Sequence, residues 1–210
     1  LGDVYKRQGI MYNTQAAMKP TSWKDLEKPE AKGLVTMPSP LTSGAALIHA
    51  QTIAAVPSLG WDYYKALKDN GAIAAGGNGA VLKSVASGEK AYGVVVDYMP
   101  IREKAKGAPV EFVFPTEGVS AVTEPVGILA HTKHADAAKK FVDYVLSTKG
   151  QEGFVKLGYI PARNDVALPA GFPPRDQIKV LPLNPAEALK NSEKDLKTCL
   201  LYTSDAADEE

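Results

Sequence analysis

The residues best suited to chemistry sit in Pro38-Ser39-Pro40-Leu41-Thr42-Ser43-Gly44. Two prolines forbid helix and hold the chain extended. Thr42-Ser43-Gly44 then opens a small-residue helix predicted to reach about Val56. Thr42 or Ser43 can cap it. The first N–H groups of a helix have no partner inside it and emerge at the positive end of its dipole. Such a start, with Ser39 beside it, suits an anion. The same residues also fit an ordinary capped helix.

Other candidates are weaker. Gly76-Gly77-Asn78-Gly79 resembles a dinucleotide loop but lacks the third glycine. It also lacks the lysine-serine or lysine-threonine of a phosphate loop. Asn78 is expected to cap the following helix and counts among the candidate ligand contacts. Asp97 and Tyr98 close a β-rich run, where ligands of open α/β sheets lie. Asp97 fits an ammonium partner or a plain turn former. Tyr12 or Tyr98 can pack or hydrogen-bond against a ligand. Tyr63-Tyr64 falls inside a helical period that core packing explains. Ser43 is not in a G-x-S-x-G elbow. His49, His131 and His134 show no metal-ligand spacing. No catalytic constellation is complete, so a binding protein is expected rather than an enzyme.

These residues need elements to position them. Gly33-Leu34-Val35-Thr36-Met37 reads as a buried strand, and residues 91–98 as a central one covered on both faces. Thr21 or Ser22 can cap a short helix carrying Trp23 and Leu26. Trp61, Tyr64 and Leu67 mark a helix ending at Asn70-Gly71. Further strands are expected at residues 110–114 and 125–130. Ala138, Phe141, Val142, Val145 and Leu146 follow one helical face, with Lys149-Gly150 at its end. A short helix at residues 151–157 follows. Asn184-Pro185-Ala186-Glu187 is a capping box. Strands alternating with helices indicate an α/β fold with a mainly parallel or mixed sheet.

Composition excludes several classes. The chain has 210 residues, 45% hydrophobic and 23% charged, with 24 basic and 24 acidic side chains. That balance gives no footprint for nucleic acid or an anionic membrane. No apolar run is long enough to span a bilayer. One cysteine, Cys199, excludes an internal disulfide. Residues 1–8 and 199–210 differ from the middle and resemble peptides translated from sequencing-adaptor DNA. The natural span is therefore expected at residues 9–198, with Cys199 outside it and any signal peptide absent from this stretch.

The ordered motifs then resemble a known family. They are Tyr12-Asn13, Pro20-Thr21-Ser22-Trp23-Lys24-Asp25-Leu26, Lys32-Gly33, Pro38, Thr42-Ser43-Gly44, Gly88-Glu89 and Asp97-Tyr98. Glu117-Gly118, Glu124-Pro125-Val126, Ala137 to Phe141, Ser147 to Gln151 and Gly158-Tyr159-Ile160-Pro161 continue the series. Over residues 9–182 the chain resembles solute-binding proteins of bacterial ABC importers, in the ferric-ion and 2-aminoethylphosphonate group.

That resemblance implies a type II periplasmic-binding-protein fold, with two α/β lobes around a cleft and the first lobe incomplete here. Residues 9–117 would form mainly the second lobe. Residues 118–160 would return to the first, and residues 161–198 would pack on the second. It implies a monomer without cofactor, periplasmic or lipid-anchored, that captures a small solute and delivers it to a membrane permease. Ferric-ion binders of the group use two adjacent tyrosines, and this chain has Tyr98-Met99 there. A thioether is a poor ferric ligand, so a phosphonate or phosphate ester is expected, with ferric iron as the alternative. A sensory ligand-binding module is the alternative class.

Overall fold

The computed structural model describes residues 2–203, with side chains from Val4 to Leu201. Its centre is a long strand, β1 (Gly2–Asn13). Three short strands, β2 (Val35–Met37), β3 (Ile73–Ala74) and β4 (Tyr92–Val96), run parallel to one another in the order β3-β2-β4. β1 lies antiparallel beside β4, and β5 (Val110–Val113) pairs with its far side. The front half of β1 pairs instead with β6 (Ser120–Pro125) and β7 (Ile160–Pro161). The sheet is mixed, as expected. Gln8 is the junction, opposite both Val96 and Ser120.

Helices follow the parallel strands. α1 (Gly44–Ala54) comes after β2, and α2 (Gly60–Asp69) leads back to β3. α3 (Asn78–Ala86) follows β3, and α4 (Tyr98–Ala105) follows β4. α5 (Ala135–Leu146) and α6 (Thr148–Lys156) lie between β6 and β7, and α7 (Pro185–Thr203) closes the chain against α1 and α2. A core of Ile10, Trp23, Leu26, Val35, Ile53, Tyr63, Leu67 and Tyr92 fills one face of the sheet. On the other face Met11, Val81, Val85, Val95 and Val110 pack together. β4 is buried along its whole length, as a strand covered on both faces must be.

The 3₁₀ turn Trp23–Glu27 is held by a complete capping box at Ser22 and Asp25. Trp23 is wholly buried, and its Nε1–H donates to Gly118 O at 2.8 Å. This bond and the contact of Ser22 Oγ with Glu117 fasten the segment between β5 and β6 to the rest of the fold.

Several boundaries differ from the sequence expectations. Residues 2–8, set aside as a tail, extend β1, and Val4, Arg7 and Gln8 are buried. Backbone pairing holds them despite their lack of apolar period, because Val4 and Tyr5 are flanked by both β6 and β7 and their main-chain groups are satisfied in the ladder. α7 runs through Cys199, which is buried, and residues 204–210 of the expected tail lie outside the described residues. The strand expected at residues 125–130 lies earlier, as β6, with only Pro125 in common. α5 stops at Leu146, and Ser147 caps α6 by accepting from Gly150 N–H. Of its predicted buried face only Val145 is buried, and Phe141 is 62% exposed.

α3 comes close to the sheet at Gly93 in β4. A Cβ there would stand 2.6 Å from Val81 Cγ1 and 3.0 Å from Val85 Cγ2. Gly93→Val should therefore force α3 off the sheet and cost about 1–3 kcal/mol or more. Urea denaturation of the variant checks this, and an unchanged midpoint contradicts it.

Candidate ligand-binding site

The ends of the parallel strands build the site. β2, β3 and β4 each lead into a helix whose first turn lies at the same edge. The first turns of α1 (Gly44, Ala45), α3 (Asn78) and α4 (Tyr98, Met99) line one open cleft of about 540 Å³. The opposite wall is Lys6 of β1 with Val122, Thr123, Glu124 and Pro125 of β6. Helix starts carry unpaired N–H groups and partial positive charge, so three of them around one cavity favour an anion.

Local chemistry explains each start. Ser43 is the cap of α1, and its Oγ accepts from Ala46 N–H at 3.2 Å. Its neighbour Thr42 donates its hydroxyl to Gly76 O at 3.0 Å. Ser39 N–H donates to the same carbonyl at 2.9 Å, and Ser39 Oγ accepts from Leu41 N–H. These bonds tie the α1 loop to the glycine loop before α3. Gly77, not Asn78, is the cap of α3. That frees the Asn78 carboxamide, whose Oδ1 accepts from Val96 N–H at 3.0 Å.

Eight residues were candidates from sequence. Ser43, Gly44, Asn78 and Tyr98 line the cleft. Thr42 and Ser39 do not line it; Thr42 donates its hydroxyl to Gly76 O and Ser39 Oγ accepts from Leu41 N–H. Tyr12 lies in the core beside Tyr92, away from the cleft. Asp97 is fully buried and caps α4, with Oδ1 accepting from Tyr98 N–H at 2.9 Å. It cannot meet a ligand's ammonium. Tyr63 and Tyr64 are core residues, as expected.

Sequence reading missed Lys6, Met99, Thr123 and Glu124 as cleft residues. Lys6 lay in the discounted opening segment. β6 places Glu124 there only through its register with β1, which no local pattern reveals. Lys6 Nζ and Glu124 Oε1 are 3.0 Å apart. Tyr159 stacks on Tyr98 with ring centroids 4.5 Å apart. Burial first, then the hydrogen bond with Tyr159, pushes the Tyr98 hydroxyl up to about 12. Tyr98 is therefore a neutral phenol at ordinary pH.

A family profile of bacterial extracellular solute-binding proteins matches residues 5–188. The chain belongs to the bacterial extracellular solute-binding proteins. An uncharacterized protein of Haemophilus influenzae is 34% identical over 152 residues, which is 69% of this chain and 44% of that relative. The chain thus spans under half the length of this curated relative. Among solved structures, AfuA from Actinobacillus pleuropneumoniae, with exogenous fructose-6-phosphate bound, superposes with a TM-score of 0.83 at 24% identity. It is matched over 96% of this chain and 67% of its own. The periplasmic binding protein P5PA gives 0.83 at 23%, over 97% and 68%. Apo ferric ion-binding protein A of Pasteurella haemolytica gives 0.80 at 21%, over 98% and 70%. The solute-binding fold inferred from the motifs is therefore the fold of this chain.

The buried charges of this solute-binding protein stand behind the cleft. Asp97 Oδ2 faces Arg7 Nη1 at 4.0 Å, and neither atom has a hydrogen bond. Burial outweighs the attraction of Arg7 and raises the Asp97 carboxyl to about 7 from an ordinary 3.8. A raised acid holds its proton in the folded state after the unfolded chain has lost it. Stability therefore falls as pH rises from about 4 to about 7, by at most about 1.4 kcal/mol per pH unit. Asp97→Asn should flatten that slope in urea midpoints measured across the window. An unchanged slope would contradict the assignment.

Proposed function

We propose that this chain is the ligand-gripping part of a solute-binding protein serving an ABC importer. Its ligand is a small solute with an oxyanion, of phosphate-ester or phosphonate type. The observation that carries the reading is the convergence of three helix starts on one cleft. Such a site offers N–H donors and partial positive charge without a bound cation. The likeness to a protein solved with fructose-6-phosphate supports the same ligand class.

Capture would proceed by closure. The cleft walls come from two groups of elements joined through β1, whose rear half pairs with β4 and β5 and whose front half pairs with β6 and β7. Bending at Gln8 and at Ser120, its partner in β6, brings the Thr123–Glu124 wall toward α1 and α4. A ligand that touches both walls favours the closed state by its differential affinity. The closed form, in the periplasm or anchored outside the inner membrane, is what a permease would receive. Ferric iron is the less favoured cargo. Met99 takes the place beside Tyr98 in the chain, and a thioether suits a hard cation poorly. A binding role also fits the histidines. His49 is buried and bonded to Ser120 Oγ at 2.9 Å, while His131 and His134 are exposed.

The test is a thermal-shift screen of the full-length gene product against fructose 6-phosphate, 2-aminoethylphosphonate, inorganic phosphate, small carboxylates and ferric citrate. A ligand at a hundred times its Kd should add about 2.7 kcal/mol. Ser43→Glu should abolish the shift by placing a carboxylate at the α1 start. A response to ferric citrate alone would overturn the reading.

A further inference from the structure

Between the sheet and the α1–α2 layer the core holds a small cavity of about 20 Å³. Every residue that lines it is buried. Most of the lining is apolar, with Met37, Ala50 and Val94 among its walls. Gln8 of β1 and Tyr64 of α2 bring polar side chains to the same space. Gln8 is 1% exposed and Tyr64 4%. Gln8 Oε1, Gln8 Nε2 and the Tyr64 hydroxyl meet no hydrogen-bond partner among the described residues. Burial pushes the Tyr64 hydroxyl well above its ordinary range, so it keeps its proton and can donate as well as accept.

Polar groups left in that condition are costly, because they give up water and gain no bond in return. A cavity of roughly 10–15 Å³ admits one water molecule when two to four polar partners surround it, whereas an apolar cavity stays dry. The space at Gln8 meets both conditions. The carboxamide supplies an acceptor and a donor, and the phenol supplies either. His49 also lines the cavity, but its Nδ1 is already bonded to Ser120 Oγ at 2.9 Å.

We propose that this cavity is a binding site for one ordered water molecule, which bridges the Gln8 carboxamide of β1 to the Tyr64 hydroxyl of α2. The site is separate from the ligand cleft and does not depend on the oxyanion reading. It accounts for a carboxamide on the same face of β1 as the core residues Ile10 and Tyr12. Gln8 stands opposite both Val96 and Ser120. The water therefore ties the helix layer to the point where β1 passes from one set of partners to the other.

A dry cavity predicts the opposite response to one substitution. Tyr64→Phe keeps the ring and its packing against Trp61 and Tyr63. With water bound, the variant strips that water of a partner and melts lower. With a dry cavity, it removes an unbonded hydroxyl and melts at the same temperature or higher. Tyr63→Phe is the control, since the Tyr63 hydroxyl is also buried and unpartnered among the described residues but does not line the cavity.

A high-resolution crystal structure of the full-length gene product, with melting temperatures for it and both variants, decides this. We expect density for a water about 2.5–3.2 Å from the Tyr64 oxygen and from a polar atom of Gln8. Tyr64→Phe should melt about 2–4 °C lower, and Tyr63→Phe should not fall. A cavity without density, a Tyr64→Phe variant that melts no lower than the unaltered protein, or a Tyr63→Phe variant that falls as far as Tyr64→Phe overturns the proposal.

Discussion

Strand β1 is the member on which the rest depends. It is paired on both flanks at Gln8, by β4 and β6, and over Ile10 to Tyr12, by β4 and β5. A backbone buried this way has to satisfy its N–H and C=O groups within the sheet. Pairing with β4 fixes the position of β2 and β3 through the parallel ladder. Once the three parallel strands are aligned, their carboxyl ends share an edge, and the helix starts that follow share it too. The cleft is a consequence of that register rather than of any one motif.

The interior and the cleft handle charge differently. Inside, ionisation is suppressed. His49 is fully buried, and burial lowers it to about 3, so it stays neutral. Asp97 is raised, and burial lowers Arg7 as well. Their 4.0 Å separation leaves the pair incompletely bonded, and such a pair recovers little of its desolvation cost. The cleft keeps its charges, Lys6 and Glu124, paired with each other and partly exposed, beside helix-start N–H groups, the Ser43 hydroxyl and the Asn78 amide, dipoles that cost little to keep unpaired while water reaches them. Their alignment is set before any ligand arrives, which spares the ordering cost that a flexible site would meet.

Much of this was legible in the sequence because it was written locally. The caps at Ser22 and Ser43, each one of two adjacent candidates, the Asn184 side chain accepting from Ala186 and Glu187 N–H, and the continuous apolar run of β4 are short-range signals, and each lies where the pattern placed it. What failed was long-range. Asp97 and Tyr12 have the right chemistry for a ligand, but strand register turned them inward. Asn78 reads as a helix cap until the path of Val96 past it is known. Glu124 and Lys6 meet across the cleft only because β6 folds back on β1, and nothing within either segment announces the other. The apolar stripe of α5 was periodic without being covered, since amphipathicity signals a need for a partner and does not supply one.

The central claim is that an oxyanion is held at the start of α1, beside α3 and α4. The most direct measurement is a ¹H–¹⁵N correlation spectrum of the full-length gene product titrated with inorganic phosphate. The account predicts that the amide signals of Gly44 and Ala45 and the side-chain NH₂ of Asn78 move together, downfield and saturably, while the amides of the β1–β5 ladder stay in place. Saturable shifts confined to another part of the molecule, or none at phosphate concentrations that stabilise the protein against heat, would contradict it.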